Sequence, residues 1–113
     1  MHAVPTRPSS VVLLGAVLCV LASPPVRAGI DEGRQKAQQC AACHGPWGRA
    51  AMPNTPHLAA QPAQYLSEQL KAYRAGKRNH DVMSLIAKPL TDTEIADLAA
   101  WYESLQIEVK PAP

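Results

Sequence analysis

Apolar residues recur at helical spacing over much of residues 62–105. A repeat at i, i+3 and i+4 is typical of amphipathic helices. The clearest repeat follows Thr91-Asp92-Thr93-Glu94, a capping-box sequence that predicts a helix start, and its face comprises Ile95, Leu98, Ala99, Tyr102 and Leu105. An earlier helix is predicted from Pro62, a favoured first-turn residue, to a stop at Gly76. The positions on its face are Tyr65, Leu66, Gln69, Leu70 and Tyr73.

The first helix along the chain is predicted from Asp31 to Cys43, because acidic residues at its start suit the helix dipole. Its small residues Gly33, Ala37 and Cys40 would let another helix approach closely, and Trp101 and Tyr102 are the bulky residues expected to pack there. The segments 45–62 and 77–90 are predicted loops, the first of them dense in glycine and proline. No stretch alternates as a strand would, so the predicted fold is all-α, with three main helices.

The apolar run at residues 11–22, VVLLGAVLCVLA, predicts a secretory signal peptide. Arg7 precedes it, and Val26-Arg27-Ala28 offers small residues at the cleavage-specifying positions. The run is shorter than the about 20 residues of a membrane span, although an uncleaved anchor is an alternative. Lipid attachment at Cys19 is disfavoured, because Leu18 is not the small residue such a site wants. We expect cleavage after Ala28, a mature domain of residues 29–113 and a periplasmic location.

Cleavage changes the charge and the cysteine count. Losing Arg7 and Arg27 leaves nine basic residues of the 11, against nine acidic ones. No basic block predicts nucleic-acid binding. The cluster Lys71, Arg74, Lys77 and Arg78 is either a solvated helix face or a docking patch for an acidic redox partner. A chain this short, without phenylalanine, usually needs a bound group to complete its core.

The sequence Cys40-Ala41-Ala42-Cys43-His44 supplies a candidate for that group. C-x-x-C-H is the attachment pattern of c-type haem, in which two thiols add to the porphyrin vinyl groups and the histidine becomes the proximal iron ligand. A zinc site would need about four ligands, and a structural disulfide would leave His44 unexplained. We therefore predict one covalent haem c, with its iron, at Cys40 and Cys43.

The second iron ligand has several candidates. Met83 lies in the loop at 77–90, which can fold over the distal face, and a thioether favours Fe(II). Met52 belongs to the loop on the proximal side of the haem, and its sulfur is expected not to reach the opposite face. His80 is the main competitor and His57 a weaker one. We predict Met83 as the ligand, with a gap-filling core methionine as the alternative.

Metal-bound histidines usually donate their other ring N–H to a nearby acceptor. The Pro56 carbonyl, in the loop just after the motif, is the candidate for His44. The alternative is a proline that only stiffens the loop.

These residues, together with Pro56-His57-Leu58-Ala59-Ala60-Gln61, resemble class I cytochromes c, and especially one haem-binding half of the di-haem c-four type. The resemblance implies His44 and Met83 as axial ligands and Pro56 as the acceptor for His44. Two departures stand out. Ala60 replaces a glycine of the family, so we expect no positive φ there, and Trp47 is unusual and could shield the haem edge or mark a partner surface.

The predicted function is that of a mono-haem electron carrier, not an enzyme, in which iron cycles between Fe(III) and Fe(II). Redox partners would dock transiently at the exposed haem edge near the thioether bonds. The alternatives are an electron-transfer subunit of a periplasmic dehydrogenase complex and a haem-based sensor or peroxidase. A sensor or peroxidase needs an open or displaceable distal position on the haem iron.

Overall fold

The computed structural model describes Met1 and residues 29–113, and this part of the chain contains helices and no strand. Apart from Met1, the predicted signal peptide, with Cys19, lies outside the described residues. None of the helices described is long and apolar enough to cross a membrane. The helices are α1 (Ile30–Lys36), α2 (Ala41–His44), α3 (Ala63–Arg74), α4 (Met83–Ala87) and α5 (Asp92–Ser104), with a 3-10 turn at Ala37–Cys40 between α1 and α2.

The predicted first helix is helical throughout residues 30–44 but is not one regular α-helix. Its middle tightens into the 3-10 turn, in which the N–H of Ala41 bonds to the carbonyl of Gln38, three residues back. Such turns are common at the ends of α-helices. The beginning of α1 is tied to α5, because the backbone N–H of Gly29 donates to the carboxylate of Asp97 at 2.7 Å.

Helices α1 and α5 approach each other at Gly33, which is buried. A Cβ atom at Gly33 would lie 2.0 Å from the carbonyl oxygen of Asp97 and 2.9 Å from the Cβ of Trp101. Only a residue without a side chain fits there. The expected packing of Trp101 against the small face of the first helix is therefore confirmed.

Side-chain bonds fix the beginning of α5. The predicted capping box is present, since Thr91 and Glu94 each accept a hydrogen bond from the backbone N–H of the other. The guanidinium of Arg74, at the end of α3, donates to the Leu90 carbonyl and to the carboxylate of Asp92. The hydrogen bond from Arg74 to Asp92, and then the charge of Arg74, lower the pKa of Asp92. The start of α5 is thereby held against the end of α3.

The expectation that residues 77–90 form a loop without regular structure was wrong, because this segment contains α4. A helix of five residues is barely longer than one turn. Its apolar residues therefore cannot establish a recognisable period in the sequence. Helix α3 ends near the predicted stop, and Gly76 has a φ of +72°.

The expectation of a negative φ at Ala60 was also wrong, since its φ is 60°. The N–H of Ala60 donates to the carbonyl of Tyr102 at 2.8 Å, and the N–H of Gln61 donates to Leu58 at 3.1 Å. A left-handed alanine costs about 1–2 kcal/mol. The first bond anchors the loop to the end of α5, the second closes a turn within the loop, and together they offset that cost.

We predict that Gly33→Ala lowers the free energy of unfolding of the haem-loaded protein by about 2–3 kcal/mol, because the added methyl group must push two backbones apart. The measurement is guanidinium chloride unfolding followed by far-ultraviolet circular dichroism.

Gly76→Ala is the control. Gly76 also has a positive φ, but a Cβ there would meet nothing within 4 Å. We expect this variant to lose only about 1 kcal/mol, from backbone strain. Equal losses in the two variants would contradict the close approach of α1 and α5.

Candidate haem-binding site

A largely apolar cavity of about 510 Å³ lies among the C-x-x-C-H segment at residues 40–44, the loop at 45–62 and helices α3, α4 and α5. Leucine and isoleucine side chains form much of its wall and would keep water from a bound group. The residues predicted to bind haem or to ligate its iron all line this one cavity, as do the competing candidates: Cys40, Cys43, His44, Met52, Pro56, His57, His80 and Met83. The apolar lining residues include Leu58, Leu66, Leu70, Ile86, Leu90 and Leu98.

The 3-10 turn, which ends at Cys40, and helix α2, which contains Cys43 and His44, place the motif in the cavity wall. Cys40 and Cys43 are half-buried free thiols, and burial raises the pKa of the Cys40 thiol. The chain turns back directly after His44 at Gly45, whose φ is +77° and whose Cβ position is filled by the Arg49 carbonyl. This turn sends the following loop back across the motif, so that loop residues reach the His44 ring.

His44 is buried, with 7% of its surface exposed. Its Nδ1 lies 2.9 Å from the carbonyl oxygen of Pro56. A carbonyl oxygen can only accept a hydrogen bond, so Nδ1 is the donor and carries the proton. In a neutral imidazole the other nitrogen, Nε2, then keeps its lone pair. The ring therefore has the tautomer required of a metal ligand.

Two methionines line the cavity but differ in burial. Met83, the first residue of α4, is half-buried, whereas Met52 is 51% exposed. A sulfur atom that ligates iron has to lie inside the haem cavity. The burial difference therefore favours Met83 over Met52.

The two competing histidines are engaged with the backbone. The Nδ1 of His57 accepts the N–H of Ala50 at 2.8 Å. The Nδ1 of His80 accepts the N–H groups of Val82 and Met83 at 3.2 and 3.3 Å. In each neutral ring the proton is then on Nε2, and neither nitrogen has a lone pair free for iron.

Tyr102 is a site residue that the sequence identified only as a packing residue. Its side chain lines the cavity and is 3% exposed. Its hydroxyl is buried without a hydrogen-bond partner among the residues described. Burial raises the pKa of Tyr102, and the neighbouring Cys40 sulfur raises it further, so the hydroxyl keeps its proton. That sulfur lies beside the hydroxyl but without the geometry of a hydrogen bond. The helical spacing from Leu98, also a lining residue, is the signal that could have identified Tyr102.

The cavity fits a haem on these observations. Two thiols, an imidazole nitrogen and a thioether sulfur are the side chains that hold c-type haem. The Tyr102 hydroxyl lies beside the sulfur of Cys40, and in a haem thioether that sulfur would be an acceptor only, and a weak one. The apolar wall matches the porphyrin faces.

Trp47 lies outside this wall. It is 60% exposed, and its ring centroid lies 6.2 Å from that of Trp101. It is not among the residues that line the cavity. The structure gives no support to Trp47 as a shield of the haem edge.

The family model described as cytochrome c matches residues 30–106. Cytochrome c-554(548) of Halomonas halodenitrificans is 44% identical over 75 residues, which cover 64% of this chain and 90% of that relative. The thiosulfate dehydrogenase electron acceptor of Thiomonas intermedia is 43% identical over 79 residues, which cover 69% of this chain and 36% of the relative.

Solved structures show the same similarity. Cytochrome c4 of Acidithiobacillus ferrooxidans matches with a TM-score of 0.66 and 35% identity, over 70% of this chain and 51% of that one. The thiosulfate dehydrogenase of Marichromatium purpuratum matches with a TM-score of 0.64 and 34% identity, over 68% of this chain and 19% of that one. The chain thus spans nearly all of one relative and about half or less of the others.

We predict that Tyr102→Phe lowers the free energy of unfolding of the haem-loaded protein by only about 0.5 kcal/mol, because it removes the contact of a buried hydroxyl with the Cys40 thioether sulfur, a weak acceptor. Denaturant unfolding followed by haem absorbance measures this change. Tyr65→Phe is the control, since Tyr65 also lines the cavity but is 45% exposed. Unchanged or increased stability in Tyr102→Phe would mean that the hydroxyl makes no stabilising contact with the Cys40 sulfur.

Proposed function

The chain belongs to the cytochrome c family, and we propose that its mature form is a periplasmic mono-haem protein that carries single electrons between redox proteins. Family membership means that haem c, with its iron, is bound covalently through Cys40 and Cys43. The observation that carries the proposal is that His44 and Met83 line the cavity that these two cysteines line. In this proposal His44 and Met83 take both axial positions of the iron, which leaves no open position for a substrate.

The side chains have distinct roles in this proposal. The bound haem supplies the Fe(III)/Fe(II) couple. Cys40 and Cys43 hold the macrocycle in one orientation, while the bond from His44 to Pro56 fixes the imidazole ring and raises its basicity. Met83 supplies a soft, neutral sulfur, which favours the ferrous state. The apolar wall excludes water, so little solvent has to reorganise when the charge changes.

The surface around the cavity supports transient docking of a redox partner. Met52, Val82 and Ile86 line the cavity and are also 51%, 51% and 42% exposed. These side chains border the cavity, so a partner that covers them comes close to the haem. Weak electron-transfer interfaces are small, below about 1,200 Å² in total, so the proposed docking requires no large apolar surface.

The basic cluster predicted as a possible docking patch is partly used within the protein. Arg74 binds Asp92 and Leu90. Arg78 donates to Gln69 at 2.6 Å, and its Cζ atom lies 4.6 Å from the centroid of the Tyr73 ring. Lys71 and Lys77 are exposed. Gln69 is neutral, and no carboxylate pairs with Arg78 in the part of the chain that the structure describes. We therefore assign Lys71, Lys77 and Arg78, and not Arg74, to steering of an acidic partner.

A second candidate function is that of a subunit in a dehydrogenase complex. The observation that favours it is that a thiosulfate dehydrogenase electron acceptor and a thiosulfate dehydrogenase are both similar to this chain. These proteins make thiosulfate dehydrogenase the first partner to test.

For a free carrier, we predict that thiosulfate dehydrogenase plus thiosulfate reduces the ferric protein and that the two proteins elute separately in gel filtration. Haem absorbance follows the reduction. Co-elution as a stable complex would instead support the subunit. No reduction by this enzyme would exclude it as a partner.

We predict that Met83→Ala abolishes the sulfur-to-iron charge-transfer band of the ferric protein and lowers its reduction potential. The reason is loss of the thioether ligand that stabilises Fe(II). Absorption spectroscopy and a redox titration measure the two effects. Met52→Ala removes a similar side chain from the same cavity, and we expect it to keep the band.

Persistence of the band in Met83→Ala would refute the proposed ligand set. Its absence from the unmodified protein would favour the sensor or peroxidase alternative, in which the distal position is open. A protein that contains no porphyrin adduct after export would refute the proposed function itself.

A further inference from the structure

The turn that leads into α4 is organised around His80. This exposed histidine lies three residues before Met83, and its Nδ1 accepts the backbone N–H groups of Val82 and Met83 at 3.2 and 3.3 Å. In an α-helix each N–H bonds to the carbonyl four residues earlier, so N–H groups at the start of a helix have no partner within it. His80 therefore satisfies donors that the short helix itself cannot satisfy, as Ser, Thr, Asp or Asn does at an ordinary helix start.

Ser84 completes this arrangement from the other side of Met83. Its hydroxyl accepts the backbone N–H of His80 at 3.0 Å, and its own N–H donates to the His80 carbonyl at 3.0 Å. Four hydrogen bonds thus connect His80 to the three residues Val82, Met83 and Ser84. These bonds hold the backbone of Met83 and of the residue on each side of it.

Helix α4 needs such support because of its length. It has five residues, and isolated helices below about 12–15 residues are marginal in water. Its residues Leu85 and Ile86 are exposed, as is Val82 just before it, so the helix is weakly buried. Ala87 is its only buried residue. Local bonds at its beginning therefore contribute a large part of what fixes its backbone.

We propose that His80 is a positioning residue for the distal iron ligand: its Nδ1 holds the backbone at Met83, and so keeps the Met83 sulfur at the iron. The inference rests on the proposed ligand set. In this role His80 contacts the ligand's backbone and not the iron. Without it, the turn at 80–84 opens more easily and the sulfur leaves the iron a larger fraction of the time.

The test is the affinity of the ferric, haem-loaded protein for azide, which has to displace Met83 from the iron. We expect His80→Ala to bind azide about fivefold more tightly, the factor that corresponds to loss of a helix cap. His80→Asn supplies a shorter acceptor suited to the same backbone position, and we expect it to restore most of the wild-type affinity. Ser84→Ala is expected to change the affinity in the same direction as His80→Ala.

Asn79→Ala is the matched control, because Asn79 is the exposed neighbour of His80 in the same turn. It is expected to bind azide as the unmodified protein does. Guanidinium unfolding of each variant, followed by circular dichroism, separates loosening of the ligand from a general loss of stability. We expect the azide affinity of His80→Ala to change while its unfolding midpoint stays close to that of Asn79→Ala.

The outcomes distinguish this inference from the proposed function. An unchanged azide affinity in His80→Ala, with the sulfur-to-iron band present in the unmodified protein, would refute the inference alone. Equal tightening in His80→Ala and His80→Asn, or in Asn79→Ala, would also refute it, because the Nδ1 acceptor would then not be responsible. Absence of the band from the unmodified protein would refute the ligand set, and this inference with it.

Discussion

The fold depends on filling the cavity at its centre with a covalently held haem. The side chains that would meet in the core of an ordinary small helical protein here face a cavity of about 510 Å³. What remains of a protein core is small: among the residues described, nine apolar residues are buried, and three of them are alanines. Short chains bury too little surface to be stable without an added group. The haem is therefore the missing part of the hydrophobic core as well as the redox centre.

The two proposed axial ligands are held in different ways. His44 directly follows a tethering cysteine, is buried, and bonds to a loop that Gly45 turns back across the motif. Met83 begins a short helix that packs against α3, has Ala87 as its only buried residue, and is held at its beginning by bonds to His80. Segments with few buried apolar contacts open at lower free energy than the rest of a protein. Of the two proposed iron ligands, Met83 is thus the one that detaches more easily.

Much of the fold could be predicted from the sequence, because its signals are local. The capping box at Thr91 and the stop at Gly76 each depend on a few adjacent residues, and both are present in the structure. The motif that binds haem is equally local. Helix α4 was missed because one turn cannot establish a period. The positive φ of Ala60 was missed because its cause, a hydrogen bond to the Tyr102 carbonyl, joins residues far apart in the chain.

The unpartnered Tyr102 hydroxyl was missed for a related reason. Sequence periodicity assigns a residue to a buried face, but it does not reveal whether the polar end of the side chain finds a partner there. That question depends on which groups the fold brings next to the hydroxyl, here the Cys40 sulfur, which is far away in the chain. A cavity that the haem completes also explains how related domains can occur in proteins of different size. The matched region covers 90% of one relative and 36% of another, because a domain whose core is supplied by its own covalently bound group needs little from the rest of the chain.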